Sequence, residues 1–258
     1  MTPAPDVSFV EVGAALGLVA VAVVVSLWQR MRLEGDIAVA VVRSFLQLTA
    51  VGFVIQLVFE GDSLLFVVLL IAAMAVFGAF TARRRAPLVP HAFGPLLVAL
   101  GLAGTATLVL LVVLGIFPAQ TRYLVPLGGM VVGNSMTAAA VALNRLGDEV
   151  TGSARELEAT LALGATSTQA GAPLVRRSLR SGMITLVDST KTTGLIFFPG
   201  TMVGMLLAGA DPLDAVRLQL ILLYALLGSV AIAALVATTL AGRNFFTDAH
   251  QLREPPAP

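Results

Sequence analysis

Three ionisable side chains lie inside long apolar stretches of this sequence and are its first candidates for chemistry: Arg43, Asp188 and Lys191. A charge at the centre of a bilayer costs about 2.5 to 3.5 kcal/mol, so such residues usually pair or line a polar path. Asp188 and Lys191 are three residues apart and would share one helix face, where they can neutralise each other. Pairing alone is one interpretation. In the other, Asp188 lines a substrate pathway and senses a cation, while Arg43 and Lys191 hold it in place.

A second set of candidates combines soft sulfur atoms with one amide group: Met130, Met136, Met202 and Asn134. Thioethers bind soft metal ions, so these side chains could line a path for a metal. Methionine more often fills irregular gaps in a core, and that interpretation stays open. The chain has no cysteine and only two histidines, and the ligands of any metal are left unassigned.

The composition predicts the elements that position these residues. Of 258 residues, 57% are hydrophobic and 12% charged, against roughly a quarter charged in soluble domains. A bilayer core of about 30 Å needs about 20 apolar residues per helix, and seven stretches meet this requirement. We therefore predict an all-α integral membrane protein with a single transmembrane domain over residues 1–258. The predicted spans are Ser8–Leu27, Ile37–Phe59, Ser63–Phe80, Phe93–Phe117, Tyr123–Leu143, Met183–Leu207 and Leu218–Ala241.

The placement of arginine predicts how the spans are oriented. With the amino terminus outside, twelve arginines lie in the cytoplasm and only Arg122 and Arg217 lie outside, as the positive-inside rule requires. The carboxyl terminus is then cytoplasmic. The twelve cytoplasmic arginines are Arg30, Arg32, Arg83, Arg84, Arg85, Arg145, Arg155, Arg176, Arg177, Arg180, Arg243 and Arg253.

The longest polar segment, Gly147–Gly182, lies between the fifth and sixth spans and is predicted to form a cytoplasmic elbow of two helices. Ser153 and Glu156 have the spacing of a capping box at the start of the first helix. Gly164 ends that helix, and Thr166 can cap a second short helix. Physics alone slightly favours an amphipathic connector resting on lipid headgroups. A contact with a partner protein is the alternative.

Glycine and proline positions predict how the fifth and sixth spans pack. Gly129 with Gly133, and Gly200 with Gly204, form small-xxx-small faces that permit close approach of two helices. We therefore expect these two spans to pack tightly. Pro199 removes a backbone donor inside the sixth span and, with Gly200, is expected to kink or loosen it.

Sequence motifs resemble a known family of transporter subunits. Glu158-Ala159-Thr160 followed by Gly164 is similar to the EAA-xxx-G loop of ABC importer-type permeases, which docks a short helix into an ATPase subunit. The similarity extends over nearly the whole chain to the FetB (YbbM-like) permeases, small membrane subunits associated with iron export and metal resistance. It is carried by Arg43 with Gln47-Leu48 and Val51-Gly52, Pro126–Met130, Gly133–Met136, Leu163–Thr166, Val187–Thr192, Pro199–Met202 and Gly209–Pro212.

The resemblance implies a function and a set of partners. The chain would be the permease subunit of an ABC transporter that exports a metal cation, in the inner membrane of a bacterium. Its coupling contact with a FetA-like ATPase subunit would involve Glu158, Ala159, Gly164, Ala165 and Thr166. The permease would work as a homodimer surrounded by membrane lipid.

ATP is expected on the partner and not on this chain. A phosphate-binding loop ends in Gly-Lys-Ser/Thr, and the single lysine of the sequence, Lys191, follows a threonine inside an apolar span. We therefore predict no catalytic residues, no cofactor bound by this chain and no nucleic-acid partner. An alternative is an ion-coupled secondary carrier that uses Asp188 and Lys191 as a relay. Such carriers usually contain inverted repeats, which seven spans do not provide.

Overall fold

The structure is a computed structural model that describes residues 9–61 and 63–253. Ser8, the predicted first residue of the first span, lies outside this part. The described residues form nine α-helices and no strand, and the all-α prediction is confirmed. The helices are α1 (Phe9–Trp28), α2 (Glu34–Gly61), α3 (Leu64–Arg83), α4 (Phe93–Val113), α5 (Thr121–Gly152), α6 (Ala154–Ala162), α7 (Ser167–Thr192), α8 (Gly200–Leu207) and α9 (Pro212–Arg243).

Six of these helices are long and apolar enough to cross a membrane: α1, α2, α3, α4, α5 and α9. They correspond to six of the seven predicted spans. The remaining predicted span, Met183–Leu207, is divided between the end of α7 and α8. The orientation of the spans stays a prediction.

The break in the predicted sixth span is earlier and longer than the expected kink at Pro199 and Gly200. Helix α7 ends at Thr192, and Gly194 adopts a φ of +85°, which glycine tolerates best. The hydroxyl groups of Thr192 and Thr193 donate to the carbonyl oxygen of Ser189 over 3.0 and 2.8 Å. The same oxygen also accepts the backbone N–H of Thr193 over 3.0 Å, so three donors converge on it at the end of the helix.

The chain forms two compact units, of which the first comprises Met1–Asp62 with Leu207–Gly209. Helices α1 and α2 of this unit are joined by a tight turn around the buried Ser26. The hydroxyl of Ser26 donates to Glu34 Oε2 over 2.9 Å and accepts the backbone N–H of Leu33 over 3.0 Å. Apolar side chains such as Leu18 and Leu48 are exposed on these helices, as expected for a surface that faces lipid.

The second unit, Ser63–Leu206 with Ala210–Pro258, contains the helices from α3 onward. In it α5 packs against α3, α4, α7 and α9. The core is rich in fully buried alanines, among them Ala79, Ala99, Ala139 and Ala237. Small side chains let helix backbones approach closely, which is the main source of helix association in lipid.

The closest backbone approach between α5 and α7 is at Gly182. A Cβ atom added there would lie 2.6 Å from the carbonyl oxygen of Ala138 and 2.8 Å from Cβ of Ala142. Helices α5 and α7 thus pack closely at Gly182, one residue before the predicted sixth span, and the tight packing of the two predicted spans through their own glycines stays a prediction. Among residues 9–61 and 63–253, leaving aside the chain neighbours and the backbone of the same helix turn, no atom lies within 4 Å of a Cβ added at Gly133, Gly200 or Gly204, and at Gly129 the Met74 side chain lies at 3.9 Å.

Replacement of Gly182 by alanine should destabilise the second unit. The new methyl group overlaps backbone atoms that cannot move aside, a change that typically costs about 1 to 3 kcal/mol. Thermal unfolding of the detergent-solubilised protein measures the effect as a lowered Tm. The control is Gly101→Ala, where nothing lies within 4 Å of the new atom; an equal loss of stability in both variants would contradict the close approach.

Candidate functional site

The predicted elbow exists and its bend is built by backbone hydrogen bonds. We call residues 153–166, which contain α6, the elbow. The backbone N–H of Gly164 donates to Leu161 O over 2.9 Å, and that of Ala165 donates to Thr160 O over 3.3 Å. This pair of bonds is the Schellman motif, which needs a left-handed residue after the helix. Gly164 supplies it with a φ of +94°.

The start of α7 is capped as the sequence predicts. The hydroxyl of Thr166 accepts the backbone N–H of Gln169 over 3.3 Å, and the Gln169 side chain accepts the backbone N–H of Thr166 over 2.9 Å. This reciprocal arrangement is a capping box. The helix it starts is not short, however, because it continues for 26 residues to Thr192.

The predicted capping box at Ser153 and Glu156 is wrong. Helix α5 runs on to Gly152, and the backbone N–H of Ser153 donates to Glu149 O over 3.0 Å. Ser153 therefore ends one helix and begins the next with φ −111° and ψ 18°. An N-cap side chain needs extended backbone to reach the following N–H groups, and Ser153 makes no such bond.

One face of α6 anchors the elbow and the other is free for contact. Leu157 is buried in the core of the second unit, and Leu161 packs against that core one turn later. Glu158 and Ala159 are exposed. At the tip of the elbow the side chain of Leu163 is 89% exposed.

A charged cluster joins α5 and α7 next to the elbow. Glu149 on α5 accepts from Arg177 Nη2 of α7 over 2.8 Å and from Arg145 Nη2 over 2.6 Å. Nε of Arg177 also donates to Glu149 over 2.8 Å. The Glu149 side chain is only 10% exposed, so the pair is shielded from water on one side. This cluster holds the first half of α7 against the end of α5.

The predicted ion pair between Asp188 and Lys191 is present on α7. Nζ of Lys191 donates to Asp188 Oδ1 over 2.9 Å. Both side chains are more than half exposed, at 57% and 66%. The pair is thus on the outside of the second unit. The two charges neutralise each other, and one side of each side chain stays accessible. The pathway role of both residues stays a prediction.

The amide candidate lies at the same depth as this pair. Gly182 contacts α5 between Ala138 and Ala142, and Arg177 meets Glu149 further along, so the two helices are antiparallel. Asp188 lies six residues after Gly182 on α7. Asn134 lies six residues before the midpoint of the Ala138–Ala142 contact on α5. In antiparallel helices these two positions are at about the same level along the helix axes. Asn134 is exposed and its Nδ2 donates to Met130 O over 2.8 Å.

The methionine candidates differ in their surroundings. Met136 packs against the core of the second unit, which agrees with its interpretation as core filler. Met130 and Met202 are half-buried. In the part of the chain that the structure describes, no group of three or more histidine, aspartate or glutamate side chains converges on one point. Their role as pathway residues stays a prediction.

Arg43 lies on α2 in the first unit. It is exposed among apolar neighbours, including Val39, Val42 and Leu46. It forms no ion pair among residues 9–61 and 63–253. Its contact with Asp188 would join the two units and stays a prediction.

Sequence reasoning missed two features of the site. The Glu149 cluster was detectable in part, because Arg145 and Glu149 have the four-residue spacing of a helical ion pair. The link to Arg177, 28 residues away, had no sequence signal. The contact of His250 with Ser167 was also missed, since 83 residues separate them.

The long apolar helices define a multi-pass membrane protein. The chain belongs to the uncharacterised protein family UPF0014, whose model matches residues 9–246. It is 41% identical over 242 residues to the UPF0014 membrane protein STAR2 of Oryza sativa subsp. japonica, covering 93% of this chain and 85% of the relative. It is 40% identical over 246 residues to protein ALUMINUM SENSITIVE 3 of Arabidopsis thaliana, with 95% and 89% covered.

A bacterial relative connects the family to the resemblance found in the motifs. The chain is 34% identical over 238 residues to the probable iron export permease protein FetB of Escherichia coli strain K12, with 92% of both chains covered. The resemblance to FetB permeases is therefore confirmed, and transport by a membrane permease is the class of function that the family membership supports. No solved structure matches the chain.

Removal of the Glu149 carboxylate should loosen the contact between α5 and α7. Glu149→Ala leaves two arginines without their acceptor, and loss of a charged hydrogen bond typically costs about 1.5 to 3 kcal/mol. Because both arginines are half exposed and regain water, we expect the lower end of that range from thermal unfolding. Asp148→Ala changes the neighbouring exposed carboxylate and should leave the Tm unaltered; equal Tm values for the two variants would show that the cluster contributes no stability.

Proposed function

We propose that the chain is the permease subunit of an ABC transporter, energised by a separate, FetA-like ATPase subunit that docks on the elbow. The continuity of α7 carries this proposal. One helix runs from the Thr166 cap at the elbow to the pair of Asp188 and Lys191. At 1.5 Å per residue, Ser167 and Asp188 are about 32 Å apart along the axis. A displacement of the elbow by ATP-driven motion would therefore reach the polar pair through one continuous helix.

A second copy of the chain would complete the pathway. The Asp188–Lys191 pair is exposed, and the non-helical turn that follows it exposes Leu195 and Ile196 by 90% and 79%. Within a bilayer, exposed charge and irregular backbone persist only where protein or a water-filled cavity covers them. A homodimer that brings two α7 helices face to face would supply both.

The proposed cargo is a metal cation, moved outward across the plasma membrane of a bacterium. The name of the E. coli relative, probable iron export permease protein FetB, supports this choice. In a homodimer the two Asp188 carboxylates and the two Asn134 amides would contribute oxygen atoms at one level. Oxygen donors suit hard cations. Iron is the first ion to test.

Affinity purification of the tagged chain in mild detergent tests the proposal. We expect a stoichiometric ATPase subunit to copurify, and its ATP hydrolysis to change when iron is added. Purification without an ATPase, together with transport that persists in its absence, would replace the ABC transporter with an ion-coupled carrier.

Gly164 variants locate the coupling contact in the same assay. Gly164→Val places a β-branched residue at φ +94°, a strain of about 1 to 3 kcal/mol that should reshape the elbow. We expect ATP hydrolysis by the complex to lose its response to iron while membrane insertion is unchanged. Gly164→Asn is the matched control, because asparagine tolerates left-handed backbone; identical coupling in the valine variant and the wild type would rule out the elbow as the contact.

Asp188→Asn tests the pathway role of the ion pair. The variant leaves Lys191 without a counter-charge in the pathway, and we expect transport of iron into inverted vesicles to fall by about tenfold or more. Copurification of the ATPase should be unaltered. The control is Asp214→Asn, since Asp214 forms an equally exposed pair with Arg217 at the same spacing and 3.0 Å. Equal transport by both variants would show that Asp188 has no role in the pathway and acts only as the ion-pair partner of Lys191.

A further inference from the structure

The chain turns back on itself after α9 and reaches the elbow. We call residues Phe245–Arg253 the C-terminal strap. Its first two side chains are anchors, since Phe245 and Phe246 are both buried. The ring of Phe246 lies against α7, where a Cβ added at Gly171 would be 3.5 Å from its Cε2.

Hydrogen bonds close the strap into a compact loop. The backbone N–H of Arg253 donates to Phe245 O over 2.8 Å, and its Nε donates to Phe246 O over 3.0 Å. Across the loop, the backbone N–H of Thr247 donates to Gln251 O over 2.8 Å. Leu252 packs against the same core as Leu157 and Leu161 of α6. The strap is therefore an ordered element with its own internal bonds.

The strap touches the start of α7 through one side chain. His250 has a φ of +56°, which turns the chain so that its ring reaches Ser167. The backbone N–H of Ser167 donates to His250 Nδ1 over 3.3 Å, and the Ser167 hydroxyl lies 3.0 Å from the same atom. The first N–H groups of a helix have no partner within it. His250 supplies one from 83 residues away.

The geometry assigns a positioning role to this segment: we propose that the C-terminal strap, through His250 and Leu252, holds the elbow in the position from which it contacts the ATPase subunit. The second half of this statement rests on the proposed function. The first half concerns this chain alone and can be tested without a partner.

The elbow needs such support because it is held by little else. Helix α6 has nine residues, and isolated helices of that length are marginal. Only Leu157 on it is buried. At its start, Ser153 is both the C-cap of α5 and the N-cap of α6. At its end, the chain turns through Gly164, which has a positive φ. A force from a docked ATPase would deform an unsupported elbow before it moved α7, whereas a strap across Ser167 and the core at Leu252 resists that deformation.

Two substitutions of His250 separate the hydrogen bond from the backbone. His250→Gly removes the acceptor and tolerates the left-handed φ, while His250→Asn keeps an oxygen acceptor near the place of Nδ1 and also tolerates that φ. Hydrogen–deuterium exchange of the purified full chain in detergent reports on residues 156–168. We expect these amides to exchange about five- to tenfold faster in His250→Gly and at the wild-type rate in His250→Asn.

Leu252→Asp provides an independent variant. It places a charge against the apolar core and should release the strap more completely, so we expect the same elbow amides to exchange faster still. The exchange rates of amides in α4 and α9 serve as an internal control, because they stay at wild-type values if the second unit remains folded. Gln251→Ala is the control, because only the backbone of Gln251 bonds within the strap; its exchange should match the wild type.

The results discriminate the two halves of the proposal. Unchanged exchange at residues 156–168 in both His250→Gly and Leu252→Asp would overturn the positioning role. Faster exchange combined with unchanged affinity for the copurifying ATPase would overturn the link to docking, whereas a Kd raised by the same variants supports it. If the wild type binds no ATPase, the proposed function fails, and the exchange data still decide whether the strap holds the elbow.

Discussion

The contact of Gly182 with Ala138 and Ala142 is the constraint on which the rest of the second unit depends. Because a single added carbon would overlap a backbone oxygen at 2.6 Å, α7 keeps its close register against α5 only with glycine at this position. That register brings Arg177 to Glu149 at one end and places Asp188 at the level of Asn134 at the other. Helix α7, which leaves the elbow, is thereby packed along α5, and its polar pair stays on the outside of the second unit.

Lipid as a solvent decides which of these residues matter for function. In water, an exposed pair such as Asp188 and Lys191 would be one of many surface ion pairs worth little. Within the predicted sixth span it would be costly, and so would the irregular backbone from Thr193 to Pro199 that directly follows it. The exposed ion pair and the irregular backbone occur together at the end of α7. The proposed homodimer, together with the water of a pathway, would cover both.

The elbow shows how small pieces of local chemistry combine into a mechanical part. Gly164 ends α6 because it adopts a positive φ, and Thr166 restarts the chain as α7 through its capping box. Neither device holds the elbow in space. Leu157 does so from inside, and the strap does so from outside through His250. The proposed docking of an ATPase on this short helix would require such support on both sides.

The sequence by itself determined the class of protein and its local devices, because these depend on composition and on neighbours along the chain. Apolar length predicted seven spans, six of which are helices long and apolar enough to cross a membrane. Three-residue spacing predicted the pair of Asp188 and Lys191, and Gly164 with Thr166 predicted the bend. The tertiary structure alone decided which glycine lets α5 and α7 meet, that Ser153 is a junction and not a cap, and that His250 reaches Ser167. Pairing across 28 or 83 residues depends on how helices pack, and packing leaves no periodic signal in the chain.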